Sequence, residues 1–262
     1  MGQWEIVGLG FLVGGLIGLT GVGGGVLMTP MLIIVFRVPP SIAVGTDLFC
    51  ASLTKIAGAA RHWRLENVDV HLAAALSAGS LPGSLCGIAA AKKVKDVMGA
   101  AVEPLISSVL AWVCIVVASI MMLRLVAGAW WPKGIRDEGD GAPSRRSRTW
   151  TVVLGAVTGL LVGLTSIGAG SIVMLFLATM YTMPARRLVG TDIFHAAILA
   201  SVSALGHLWA GDVDFSLAAL LLVGSVPGVL LGSRASIRIP DPALRASVAL
   251  VLVFSGAKLL LR

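Results

Sequence analysis

Two aspartates, Asp47 and Asp192, stand in the same tripeptide, Gly-Thr-Asp, inside otherwise apolar stretches. A carboxylate near a bilayer centre costs about 2.5–3.5 kcal/mol on insertion scales, so it should face a protein interior or a cavity. Two roles are open to the pair: capping the N–H groups of a helix start, or carrying a proton. Thr46 and Thr191, one residue before, offer uncharged hydroxyls that suit direct contact with an anion better than the carboxylates do. Lys55 lies mid-segment, where it can pair with a carboxylate or act as counter-ion to a substrate; the matching position of the second stretch holds Ala200. His62, about 20° around a helix from Lys55, closes the first segment and His207 closes the second. Each histidine reads as an interfacial residue or as a proton or substrate group.

The second chemical feature is glycine. "GLTGVGGGVLMTP" runs from Gly18 to Pro30, and "GLTSIGAGSIVML" from Gly163 to Leu175. Glycine costs about 1 kcal/mol relative to alanine in a helix interior, so these clusters predict breaks in the helices that carry them. The stretch Gly25 to Phe36, stopped by Arg37 and Pro39-Pro40, reaches about 18 Å at 1.5 Å per residue. A hydrocarbon core is about 30 Å thick, so this is a half-helix. Its exposed N-terminus carries about half a positive charge and unpaired N–H donors, an anion site. The starts near Gly25 and Ser171 could converge on one midplane site, a geometry that recurs in secondary transporters. Close packing by small residues is the competing reading; the shortened helix and its duplication favour the site.

The elements that must position these groups are transmembrane helices. Of 262 residues, 57% are hydrophobic and only 13% charged, about half the charged share of a soluble domain, and the mean hydropathy is +0.95. Apolar stretches at Val70 to Ala91, Leu105 to Met122, Leu188 to Leu208 and Phe215 to Gly232 approach or exceed the length of a span. Gly18, Thr20, Gly45-Thr46-Asp47, His62 and Pro82-Gly83 recur as Gly163, Thr165, Gly190-Thr191-Asp192, His207 and Pro227-Gly228, each 145 positions on. The expected fold is therefore an all-α polytopic membrane protein built from two homologous repeats, each of about five transmembrane or half-membrane helices. An odd count makes the repeats inverted. The first repeat occupies 1–131, a cytoplasmic linker 132–149 and the second repeat 150–262.

Basic residues sort onto one side, among them Arg61, Arg64, Arg145, Arg146, Arg186, Arg187 and Arg234, against Arg37, Lys92, Lys93, Lys95 and Lys258 on the other. The positive-inside rule then places the linker in the cytoplasm and both termini outside a plasma (inner) membrane. The net charge of +7 sits singly or in short loop clusters, which argues against a nucleic-acid partner. Cys50, Cys86 and Cys114 lack metal-ligand spacing, His71 and His195 lack repeat counterparts, and no nucleotide-binding, HExxH, CxxC or Gly-x-Ser-x-Gly motif is present. No enzyme, cofactor or metal is expected.

"GLTGVGGGVLMTPML" followed by "VGTDLF", with both repeated in the second half, resembles the TauE/SafE family of sulfite and organosulfonate exporters, over nearly the whole chain. The resemblance implies a permease for a small sulfur-containing anion, coupled to an ion gradient. It points to Gly23, Gly24, Gly25, Thr46 and Asp47, and to Gly168, Gly170, Thr191 and Asp192. With Thr20, Lys55 and Thr165 these form the expected substrate site, and Asp47, Asp192, His62 and His207 the expected proton-coupling set. Ala169 and Leu175 depart from the pattern, where the first copy has Gly24 and Pro30, and make an asymmetric site plausible. The expected function is a secondary active transporter moving sulfite, an organosulfonate or a related sulfur compound by alternating access, as a monomer or homo-oligomer with a coupling proton or cation. An anion channel and an accessory membrane assembly protein are the alternatives.

Overall fold

The computed structural model describes residues 2–20, 24–126, 145–167, 171–181, 183–235 and 241–261. Among them lie ten α-helices and no strand: α1 (Gln3–Thr20), α2 (Met28–Phe36), α3 (Pro40–Arg64), α4 (Val70–Met98), α5 (Val102–Val126), α6 (Arg145–Thr165), α7 (Ser171–Met180), α8 (Ala185–Ala210), α9 (Phe215–Ala235) and α10 (Asp241–Leu260). Six of them, α3–α6, α8 and α9, contain stretches long and apolar enough to cross a membrane. α6 begins at Arg145, inside the stretch read as linker; the rest of that linker, 132–144, lies outside the described residues.

The expected break in each leading pair is present. α1 ends at Thr20, and after a one-turn 3₁₀ segment, Gly24–Val26, α2 runs for 9 residues. That is about 14 Å of helix. It stops where Arg37 turns left-handed at φ 55° and the Val38 N–H donates back to the Leu32 carbonyl at 3.2 Å, before two prolines. α7, with 10 residues, is equally short.

Helices pair mainly with helices of the other half: α1 lies on α9, α4 on α6, α3 on α8 and α5 on α10. Small residues set the α4–α6 and α1–α9 spacing. A methyl on Gly79 would run into the Val152 carbonyl, and one on Gly224, 145 positions later, into the Val7 carbonyl. Such close backbone approach is how transmembrane helices gain packing energy without a hydrophobic driving force. Buried side chains such as Leu32, Leu110, Leu221 and Leu252 join α1, α2, α5, α9 and α10. Leu76, Val173, Leu177 and Leu188 join α4, α7 and α8. The outer surface presents Leu12, Trp112, Val223 and Phe254, each more than half exposed, as a face solvated by lipid chains would.

Candidate functional site

Asp47 sits in the second turn of α3 and Asp192 in the second turn of α8, seven residues beyond Pro40 and Ala185. The capping role considered for them is therefore overturned, because the unpaired N–H groups of a helix lie in its first turn. Prolines take the cap positions instead, Pro39 for α3 and Pro184 for α8.

Asp47 is 2% exposed and tied from two directions. The Thr29 hydroxyl, in the first turn of α2, donates to Oδ2 at 2.9 Å, and the Ser166 hydroxyl, just past α6, donates to the same oxygen at 2.6 Å. Ser166 adopts φ 61°, a left-handed residue ending α6, with its N–H donating to the Val162 carbonyl at 2.8 Å. Gly25 packs so closely on this turn that a β-carbon there would overlap the Ser166 carbonyl. The glycine break of the first half thus touches the end of α6 in the second, and Asp47 lies beneath the contact. Gly24 is looser: a β-carbon there would stand 3.5 Å from Ile17 Cδ1 and 3.9 Å from Asp47 Oδ1.

Asp192 is 8% exposed, and its Oδ1 has no hydrogen-bond partner among the described residues. The positions that would match Thr29 and Ser166 hold Met174 and Gly21, neither with a hydroxyl. Half-buried Lys55 is within electrostatic reach of Asp47, Asp192 and His195 and makes no direct ion pair among the described residues. His195, fully buried, bonds Ser80 Oγ through Nε2 at 2.8 Å, and its Nδ1 has no partner among the described residues.

The threonines of the two Gly-Thr-Asp tripeptides do matched work. Thr46 Oγ1 accepts from the Asp214 N–H at 3.1 Å, and Thr191 Oγ1 accepts from the Asp69 N–H at 2.9 Å. Asp214 and Asp69 in turn accept from Leu217 and Leu72 N–H, each at 3.0 Å, starting α9 and α4. Thr165 donates to the Leu161 carbonyl at 2.7 Å and accepts from the Ile167 N–H at 3.2 Å, closing the end of α6. Thr20 ends α1; Gly23, Gly168 and Gly170 lie outside the described residues.

The closing histidines diverge. His207 is buried, with Nε2 2.9 Å from the Gly163 carbonyl and Nδ1 3.5 Å from Asp212 Oδ2. Asp212, in the α8–α9 connection, also binds Lys95 Nζ at 2.5 Å. Burial alone would raise the Asp212 carboxyl, but bonds from His207 and Lys95, and their charge, hold it below its usual range. Lys95 Nζ lies 3.4 Å from Ser41 Oγ, and Ser41 donates to Glu103 through N–H at 3.0 Å and Oγ at 2.6 Å. At the opposite end His62 is half-buried with no partner on Nδ1 among the described residues, and Asn67 and Pro240 occupy the places of Asp212 and Lys95. Thr29, Ser166, His195 with Ser80, and the Lys95–Asp212 bridge escape a reading by repeat matching. What marks the first three in the sequence is a departure from the repeat: Thr29 against Met174, Ser166 against Gly21, His195 against Cys50.

A break before α2 that meets the end of α6 over buried Asp47, in a bundle with six helices long and apolar enough to cross a membrane and an apolar outer face, fits a polytopic membrane protein, and the comparisons with known proteins make it a membrane transporter. The family profile of the sulfite exporter TauE/SafE matches residues 6–259, and the chain belongs to that family. It is 39% identical over 256 residues to "Probable membrane transporter protein YjnA" of Bacillus subtilis, covering 98% of this chain and 99% of the relative. "Probable membrane transporter protein YdhB" of the same organism is 26% identical, with 95% and 97% covered. An archaeal relative, "Probable membrane transporter protein MJ0441" of Methanocaldococcus jannaschii, is 25% identical, with 97% and 93% covered. No solved structure matches.

Proposed function

We propose that the protein is a secondary active transporter that carries a small sulfur anion, sulfite or an organosulfonate, by alternating access. The observation that supports this most is the meeting of the glycine break before α2 with the end of α6 over Asp47. Backbone of this kind is tolerated at membrane depth only where protein buries it or it lines a cavity. The anion would bind between the N-terminal ends of α2 and α7, with Gly24 and Gly25 at the first of them; Gly23, Gly168 and Gly170 belong to the same glycine clusters in the sequence. Thr20 and Thr165 stand at the edges of those breaks and Lys55 supplies the counter-charge. Thr46 and Thr191 would hold the helix junctions around the site, and Asp47, Asp192, His62 and His207 are the groups available to a coupling proton.

The two halves are read as inverted repeats. Contacts recur reciprocally, with Thr46 on Asp214 matched by Thr191 on Asp69, and Gly79 on Val152 by Gly224 on Val7. Such exchange is the mark of a two-fold relation. With five helices per half the axis lies in the membrane plane, which supports rocking of one half against the other as the transport step. The distribution of Lys and Arg supports a cytoplasmic linker and external termini.

The test is counterflow of labelled sulfite in proteoliposomes, with taurine, sulfoacetate, thiosulfate and acetate as competitors. Saturable exchange blocked by a sulfur anion is expected. Absence of exchange from monodisperse, folded protein with every sulfur anion would overturn the reading.

A further inference from the structure

Resting on that reading of an anion site at Lys55, we propose that Lys55, Asp192 and His195 form an anion-gated proton site. The incoming anion takes Lys55 away from Asp192, and Asp192 then binds a proton that travels with the anion.

The argument begins with a mismatch of charge. Asp47 and Asp192 are buried on α3 and α8, two helices packed on each other, and Lys55 stands on α3 about two turns beyond Asp47. A buried carboxylate is stabilised by a cation or by donors, and is costly without either. Asp47 has donors, the Thr29 and Ser166 hydroxyls at 2.9 and 2.6 Å. Asp192 has none on Oδ1 among the described residues, and the sequence positions that match Thr29 and Ser166 hold Met174 and Gly21, neither with a hydroxyl. Its charge therefore depends on Lys55 in a way that the charge of Asp47 does not.

Among the described residues no other cation is paired with Asp192. α8 packs against α3, α4, α6 and α7. From α3 come Lys55, Asp47 and, at the far end, Arg61, His62 and Arg64. At the start of α4, Asp69 is engaged by Arg187, 3.3 Å away, and His71 is exposed; in its last turns Lys92 lies over the Trp209 ring of α8, 4.9 Å from the centroid, Lys95 is held by Asp212, and Lys93 and Asp96 are exposed. The arginines of α6, Arg145, Arg146 and Arg148, stand in its first turn, and α7 has no ionisable residue. Along α8 itself, Arg186 and Arg187 stand at the start and His207 is engaged near the other end by Asp212. His195, three residues after Asp192 and so on the same helix face, keeps a fully buried Nδ1 with no partner among the described residues. It can relay the proton, while Ser80 fixes the ring through Nε2.

When an anion approaches Lys55, the lysine charge is compensated by the substrate and Asp192 is left uncompensated. A proton from water on the open side then binds the Asp192 carboxylate. One proton enters per anionic charge placed on Lys55, and its release accompanies release of the anion. No bond other than that O–H is made or broken.

The experiment measures the dissociation constant of labelled methanesulfonate against pH, because a sulfonate does not itself titrate over the range, as sulfite does. Uptake of one proton on binding makes the dissociation constant rise about tenfold per pH unit over the range in which Asp192 is ionised in the empty protein and protonated in the anion-bound one. That slope is expected in the wild type and in Asp96→Asn, which removes an exposed carboxylate of α4 outside the site, and a flat profile in Asp192→Asn. Asp192→Glu, which restores a carboxylate, should restore the slope and so separates proton binding from misfolding. In proteoliposomes an enclosed pH indicator should report about one proton per anion in the wild type and none in Asp192→Asn. A flat wild-type profile alongside working sulfur-anion counterflow, or a slope that survives in Asp192→Asn, would overturn the proton site and leave the transporter reading standing. No counterflow with any sulfur anion would overturn the transporter reading itself, and this inference with it.

Discussion

Asp47 and Asp192 occupy matched positions in matched tripeptides, yet their surroundings differ. Asp47 is held by hydroxyls from both halves of the molecule, whereas Asp192 has an oxygen with no donor among the described residues. Their neighbours Thr46 and Thr191 still do the same work. The joints between helices match at these positions, and the charge environments do not. The comparison teaches that symmetry here belongs to the frame and asymmetry to the chemistry, and that the two aspartates should respond differently to the same change.

The largest effect, loss of transport itself, is expected where the two breaks touch. Gly25→Ala drives a methyl into the Ser166 carbonyl, an overpacking worth about 1–3 kcal/mol. Gly24→Ala meets only ordinary contacts at 3.5 and 3.9 Å. Thermal unfolding in detergent should drop by several degrees for the first and stay near wild type for the second. Gly24→Leu should insert normally and abolish counterflow, and normal flux in it would remove the glycine break from the transport path.

Next comes the carboxylate pair itself. Asp47→Ala strands the Thr29 and Ser166 hydroxyls, at about 1–3 kcal/mol for each buried group left unpaired, while Asp192→Ala strands no hydrogen-bond partner seen among the described residues. Chemical denaturation should therefore rank Asp47→Ala well below Asp192→Ala in stability. Equal losses would mean that the asymmetry around the two aspartates has no energetic content.

The threonine joints sharpen the other side of the comparison. Thr46→Val and Thr191→Val each remove the acceptor for one N–H at a helix start, a loss of about 0.5–2 kcal/mol. The two should be alike within about 0.5 kcal/mol. A large difference would break the equivalence of the joints.

The Lys95–Asp212–His207 cluster predicts an acid limb. Because the folded Asp212 carboxyl is held below its usual range, its contribution is fully present above the unfolded value of about 3.9. It is lost as pH falls through the lower folded value. Melting temperature should fall below about pH 4, and Asp212→Asn should be less stable at neutral pH with a shallower acid limb. The smallest effect belongs to the Arg187–Asp69 pair, whose side chains are 41% and 22% exposed. Arg187→Gln should change stability by about 0–1 kcal/mol, less at high salt.

Much of this architecture was legible in the residues. Helix content, the short α2, the breaks at the glycines and the pairing of positions 145 apart all follow from local propensity, hydropathy and a gapless repeat. Those properties act between residues close in sequence, or are stated twice, so one chain suffices to read them. Which groups meet was decided by folding. Ser166 reaches Asp47 from 119 residues away, Ser80 reaches His195 from 115, and Lys95 reaches Asp212 from 117. Whether Asp47 caps a helix or accepts hydroxyls depended on α3 starting at Pro40, a boundary that composition leaves loose. The sequence by itself determined a duplicated, broken-helix membrane bundle. Only the tertiary structure decided which aspartate is satisfied, because hydrogen bonding depends on distances of about 3 Å between side chains that no local pattern brings together.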